Sequence, residues 1–481
     1  MATTETQPDL LTAPGAGGRV VRGGVVRAVG YGLGTIVAAG TAVLLLRHLG
    51  RVDFGRYATV GALLGVVSGI SDAGLTAVGS RELALAPPAE RPRLLRNLVT
   101  LRLAITPLGV LAAAVFAYVS YDRTMFWGTV AGGVGVLLVN TQATMMAPLS
   151  VDLRLGTITL FEVLKTTLTF VFVGAFVAGG TSLLPLLAIQ VPVGLAIILL
   201  TPLAVPVGRG LLPGFDRSLA WSLVREALPL AVALTMNVVY FRVLMIMTSL
   251  LGSKTDTGLY GTSFQVFSVL FSLPLLVLSS ALPLLSVAGR DDSERLRFGL
   301  QRMTEVALAA GIAFVLAIVA LAPMLIPLLG GDEYNGAVPV LQIQVFALLA
   351  VFVGQTWQLG LLSLRRQAAL AWANAGALAV ILVAGAILVP AHGARGAAVA
   401  AVVGETALAA FVYVSLRRAS SVAAPRLGLA PRVVMASLPA FAVLVLPVPW
   451  EVRLVGSLAV FAAAAFAIRA VPVELVHALR R

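Results

Sequence analysis

Cysteine is absent from the 481 residues, lysine is nearly so, and charged side chains make up only 11%. Without cysteine there is no disulfide framework, thiolate metal site or thiol nucleophile. The three histidines, His48, His392 and His477, are too scattered to propose a metal site. No G-x-x-x-x-G-K-(S/T) run offers a nucleotide-binding loop, and no G-x-S-x-G elbow marks a serine nucleophile. Neither an enzyme nor a cofactor is expected. The shortage of charge is the most restrictive absence. Soluble domains carry roughly 25% charged residues. Here 59% of residues are hydrophobic and the mean hydropathy is +0.99, too apolar to cover a water-soluble fold. An integral membrane protein is expected. The net charge of +13 is then read by its placement along the chain, and no nucleic-acid partner is expected.

What is present is apolar runs of spanning length. Residues 1–18 read as a polar, disordered tail without the basic start and apolar run of a cleaved leader. After it come about fourteen segments long enough to cross a bilayer, each needing some 17–25 residues. They fall at 24–47, 57–80, 98–119, 124–147, 157–178, 183–205, 227–251, 258–287, 303–329, 337–363, 368–389, 395–416, 433–449 and 453–472. With the amino terminus inside, 24 of the 34 Lys/Arg fall in cytoplasmic stretches and 7 in external ones. That bias places both termini in the cytoplasm. Reporter fusions after residues 121, 254 and 393 should therefore report outside, and those after 92, 292 and 422 inside. A cytoplasmic signal at 254 would overturn the orientation.

A faint repeat divides the chain. Leu49-Gly50 precedes Gly55-Arg56-Tyr57, and about 200 residues later Leu251-Gly252 precedes Gly258-Leu259-Tyr260. The two copies are six segments apart, so they share an orientation, and parallel repeats are related by an axis along the membrane normal. The expected architecture is all-α and polytopic. It has two six-helix lobes related by a pseudo-twofold along the membrane normal, residues 19–205 and 227–416, joined by a cytoplasmic linker at 206–226. Two further helices and a tail occupy 417–481.

Several motifs sit at fixed places in this order. The turn Leu49-Gly50-Arg51-Val52-Asp53-Phe54-Gly55-Arg56-Tyr57 joins segments 1 and 2, and Ser71-Asp72-Ala73-Gly74-Leu75 lies in segment 2. Leu228-Pro229, Tyr240-Phe241-Arg242 and Thr257-Gly258-Leu259-Tyr260 mark segments 7 and 8. Gly330-Gly331-Asp332-Glu333-Tyr334 follows segment 9, and Pro390-Ala391-His392-Gly393-Ala394-Arg395-Gly396-Ala397-Ala398 enters segment 12. Together they resemble the oligosaccharide and polysaccharide flippases of the multidrug/oligosaccharidyl-lipid/polysaccharide exporter superfamily. That resemblance implies translocation of an undecaprenyl-diphosphate-linked oligosaccharide across a bacterial cytoplasmic membrane by alternating access, for cell-surface polysaccharide synthesis. Membrane lipids, and polysaccharide polymerase or export proteins, are the implied partners. Two alternatives stay open: a cation-coupled multidrug exporter of the same superfamily, and a polytopic membrane glycosyltransferase or polymerase. The short external turns weigh against the latter.

Intramembrane polar residues give the candidate site. A central charge costs about 2.5–3.5 kcal/mol on insertion scales, so each needs a reason. Arg242, mid-segment 7, suits a diphosphate because its fork donates paired hydrogen bonds and keeps its proton. Many relatives carry an aspartate two positions later, where this chain has Leu244. Asp72 and Glu405 from other segments are alternative partners for Arg242. Arg27 could meet phosphate from the cytoplasmic side. Asn140, Asn237, Gln265 and Gln355 are sugar-binding candidates, as are Gln142, Gln342 and Gln344, because amides pair with hydroxyls. Asp72, Glu162, Lys165 and Glu405 are candidates for proton or cation coupling. Two readings of Asp72 stay open, a titrating site or a brace for the Gly74 break. Glu162 and Lys165 share a helix face and are expected to pair. Gly61, Gly65 and Gly69 read as a small-residue packing stripe.

Overall fold

Apolar runs with few charges leave the backbone no external partner in hydrocarbon, so it must bond to itself, and helices do that within one segment. The computed structural model describes residues 16–72, 74–205, 211–279, 293–422, 424–426, 428 and 430–468. Among these, every regular element is a helix. In chain order they are α1 (Ala16–Asp72), α2 (Leu75–Leu85), α3 (Arg91–Ser120), α4 (Arg123–Met145), α5 (Ala147–Val151), α6 (Leu155–Ala178), α7 (Leu183–Leu187), α8 (Gln190–Ala204), α9 (Arg217–Leu251) and α10 (Lys254–Ser279). There follow α11 (Ser293–Gly330), a 3₁₀ turn (Asp332–Tyr334), α12 (Ala337–Gln344), α13 (Phe346–Ser363), α14 (Gln367–Ala419), α15 (Ala430–Val445) and α16 (Trp450–Ala467). Ten described helices are long and apolar enough to cross a membrane, two of them with 57 and 53 residues. The protein is a multi-pass membrane protein. Residues 1–15 of the expected tail, residues 280–287 of the eighth segment, residues 206–210 of the linker and residues 469–481 lie outside the described residues. Helix α9 begins at Arg217, inside the expected linker.

The chain forms two compact units: Met1–Leu45 with Val67–Val232, and Leu46–Val66 with Ala233–Arg481. In the first, Leu83, Leu95, Leu98, Val99, Leu149 and Leu223 are core residues joining α2, α3, α5 and the start of α9. The residues before α9 are strapped to α3. Asp216 N–H donates to Asn97 Oδ1 at 2.7 Å, Gly214 N–H donates to Thr100 Oγ1 at 2.9 Å, and Arg93 forms an ion pair with Asp216. The Ser218 hydroxyl, then Arg93 and the Leu219 N–H, hold the Asp216 carboxyl well below the usual carboxylate range.

The second unit contains the turn that follows segment 1, and its motifs acquire physical reasons there. Both very long helices break at a glycine of positive φ, Gly50 at 67° in α1 and Gly393 at 54° in α14. L-residues rarely adopt that region. After each break, the next backbone N–H is capped by a carboxylate from elsewhere in the chain. Arg51 N–H donates to Glu333 Oε1 at 3.1 Å, and Ala394 N–H donates to Asp256 Oδ1 at 3.0 Å. Asp256 also closes a capping box with Ser253 at the start of α10. Tyr334 Oη, beside Glu333, donates to Leu46 O at 3.1 Å. Gly258 has a steric reason: a Cβ there would lie 2.0 Å from Arg51 O. The acidic turn and the glycine motifs thus fasten residues 46–66 to the rest of their unit.

Candidate functional site

Helices α9, α13 and α14 deliver polar side chains to one cavity of about 520 Å³ inside the second unit. Its walls include Asn237, Tyr240, Phe241 and Arg242 from α9, Gln355 and Gln358 from α13, and Glu405 from α14. Gly65 of α1 and Ser268 and Phe271 of α10 complete it. A side-chain atom on Gly65 would lie 3.1 Å from Arg242 Nε, so the glycine makes room for the guanidinium. Gly61, one turn earlier, faces open space. The stripe is therefore more than close packing, because one of its members borders the cavity.

Arg242 is held by aromatic rings. Its Cζ lies 5.6 Å from the Phe241 ring centroid and 5.8 Å from that of Phe264. Cation–π contact offsets part of the cost of a buried guanidinium without using up its hydrogen-bond donors. Among the described residues no carboxylate lies within ion-pair distance of it. Glu405, 7% exposed, lines the same cavity. Tyr240 Oη and Gln355 Oε1, on two further lining residues, are buried without a hydrogen-bond partner. The cavity thus offers a cation, a buried acid and unsatisfied neutral polar atoms. Such a set can take an anionic group with attached hydroxyls.

The other expected site residues are dispersed. Asn237 reaches the cavity, and its amide donates to Asn374 Oδ1 at 3.4 Å. Gln265 is half-buried on α10 and is not among the residues lining the cavity. Arg27 is exposed on α1 in the first unit. Asn140 uses its amide within the first unit, accepting from Ser68 Oγ at 3.0 Å and donating to Ser71 Oγ at 3.2 Å. Glu162 is exposed, Lys165 half-buried, and no ion pair joins them among the described residues. Gln342 donates to Val319 O, and Gln344 accepts from Ser263 Oγ while its Nε2 is buried without a partner; neither lines the cavity.

Asp72 has a partner that counting loop arginines obscured. Arg102, only 2% exposed, sits four residues inside the third apolar segment, close enough to its end to pass for a charge of the cytoplasmic flank. Its Nη2 donates to Asp72 Oδ1 at 2.7 Å and to Thr76 Oγ1 at 3.1 Å. Its Nη1 donates to Ser71 O at 2.6 Å, and its Nε to Thr144 Oγ1 at 3.0 Å. Ser71 and Asp72 end α1, and Thr76 lies in α2 beyond the Gly74 break, where φ is 74°. One guanidinium therefore satisfies both sides of the break and ties them to α4. The geometry favours the brace. Tyr240, Gln358 and Ser268 were also missed. Tyr240 adjoins the Phe241-Arg242 pair in sequence, which was the available signal.

No protein-family model and no curated protein matches the sequence. Solved structures do match in fold. One is the lipid II flippase MurJ in an inward-closed conformation, at TM-score 0.76 and 11% identity, over 95% of this chain and 100% of that one. Another is an inward-facing multidrug-resistance MATE transporter of the MOP superfamily, at TM-score 0.68 and 13% identity, over 83% of this chain and 98% of that one. A third, a MOP-superfamily transporter from Pyrococcus furiosus Vc1, matches at TM-score 0.59 and 13% identity, over 84% and 96% of the two chains. The all-helical architecture is that of transporters of this superfamily.

Proposed function

We propose that this chain, with its multidrug/oligosaccharidyl-lipid/polysaccharide transporter fold, is a flippase for an undecaprenyl-diphosphate-linked oligosaccharide. It carries the head group from the inner to the outer leaflet of a bacterial cytoplasmic membrane, with both termini inside, by alternating access. The observation that carries this is Arg242. It is a permanently charged fork in a membrane-embedded cavity, with its ring contacts made and no carboxylate ion pair among the described residues. A diphosphate supplies the missing negative charge, and Gln355, Gln358 and Asn237 supply partners for sugar hydroxyls. The lipid tail stays in the bilayer and needs no polar path. A similar fold named as a lipid II flippase supports a lipid-linked substrate.

The named MATE structure favours the multidrug reading as the second choice. A cationic drug would meet Arg242 as a like charge, which weighs against it. Depleting the protein tests the choice. Cells should go on making the lipid-linked oligosaccharide but accumulate it on the inner leaflet. Unchanged leaflet distribution with new drug sensitivity would favour the exporter instead.

A further inference from the structure

A cluster of arginines lies elsewhere in the second unit, outside the Arg242 cavity. Helices α11, α15 and α16 share a core of Ile312, Leu316, Val433, Ala436, Ala440 and Phe461. That packing brings the first turns of α11 and α15 together beside the segment leading into α15. Between them is a cavity of about 450 Å³ lined by Arg297, Phe298, Gln301, Arg426, Gly428 and Arg432. Arg426 is fixed there through its backbone, whose N–H donates to Gln301 Oε1 at 2.5 Å. Arg297 has Glu294 at 3.8 Å, an open and exposed contact of little strength. Arg426 and Arg432 make no ion pair, and no carboxylate lines the cavity, among the described residues. Three arginines therefore line one space, and among the described residues the only ion pair any of them makes is the weak one of Arg297.

The surroundings are amphipathic. The arginines stand just before the apolar stretches that begin near 303 and 433, where head groups meet hydrocarbon. Phe298 is 61% exposed, and Met435 and Leu438 on α15 are exposed too. We propose that this pocket binds a phosphate group presented at the membrane interface, from an anionic membrane lipid or from free phosphate. Arginine clusters between helices at an interface recognise such groups through paired hydrogen bonds. The site is independent of what the Arg242 cavity carries.

The test uses the purified full chain in phosphatidylcholine nanodiscs, with phosphatidylglycerol or inorganic phosphate added and the melting midpoint followed. Phosphatidylglycerol should raise the midpoint of wild type and of Arg366→Gln, an exposed arginine outside the pocket. Each of Arg297→Gln, Arg426→Gln and Arg432→Gln should weaken the apparent affinity about fivefold, and the triple variant should show no shift. An equal shift with inorganic phosphate alone assigns the site to a free anion. If the triple variant does not fold, the single variants carry the comparison. Undiminished lipid response in all three singles, or equal weakening by Arg366→Gln, overturns the proposal.

Discussion

Arg242→Ala is expected to lower oligosaccharide-lipid translocation per folded protein by at least about tenfold, and Arg242→Lys to fall between it and wild type. A tenfold loss corresponds to about 1.4 kcal/mol, modest for a charge-assisted bidentate contact. Lysine keeps the charge but loses the planar fork, and it stacks less well on the aromatic faces of Phe241 and Phe264. Arginine at this depth is expensive without a use, yet its neighbours satisfy it through ring faces rather than carboxylates. Removing it should leave the rings packed on each other, since Phe241 already lies 5.1 Å from Phe264 and 4.8 Å from Phe271, centroid to centroid. Yield should therefore change less than transport. The measurement is outer-leaflet substrate normalised to folded protein. Wild-type translocation by the alanine variant would leave Arg242 a structural residue.

Arg102→Ala should instead be lost at the level of folded protein. Each lost hydrogen bond costs about 0.5–1.5 kcal/mol, and removing a large buried side chain leaves a cavity as well, together a large part of an ordinary stability. Arg102 is the fully buried member and supplies four hydrogen bonds, three to the two sides of the Gly74 break and one to Thr144 on α4, whereas Asp72, 41% exposed at its side chain, is partly hydrated. Asp72→Asn keeps an acceptor for Arg102 and Thr76, so it should reduce yield less and keep most transport per folded molecule. Monodisperse yield and melting midpoint, read beside transport, separate the two roles. Full folding of Asp72→Asn with transport abolished would make Asp72 a coupling group rather than a brace.

Much of the fold was legible because hydrophobic length is a one-dimensional signal. Each expected segment is largely helical, but those at 57–80, 124–147, 183–205 and 337–363 are each divided between two helices, and the one at 433–449 outruns α15, which ends at Val445. Glycines at 50, 258 and 393 were visible as motif positions, but their reasons were not. Those reasons are a carboxylate from Glu333, the Arg51 carbonyl and a carboxylate from Asp256, all distant in sequence. Pairing fared worst. Arginine counting treats Arg102 as a loop charge because it stands near a segment end, and only packing shows that it turns inward to Asp72. Spacing on one helix suggested Glu162 with Lys165, yet sharing a face permits a contact without requiring it. Arg242 and Glu405 were legible as intramembrane charges, and their common cavity arises from three helices converging.

Transport itself is tested most directly in vesicles of purified protein loaded with a polyprenyl-diphosphate-linked oligosaccharide on one leaflet. A head-group-modifying enzyme confined to the other side reports crossing. Wild-type vesicles should expose the substrate faster than protein-free vesicles, and Arg242→Ala vesicles should do so at least about tenfold more slowly than wild type. Equal exposure with and without protein, at confirmed incorporation and folding, would contradict the flippase.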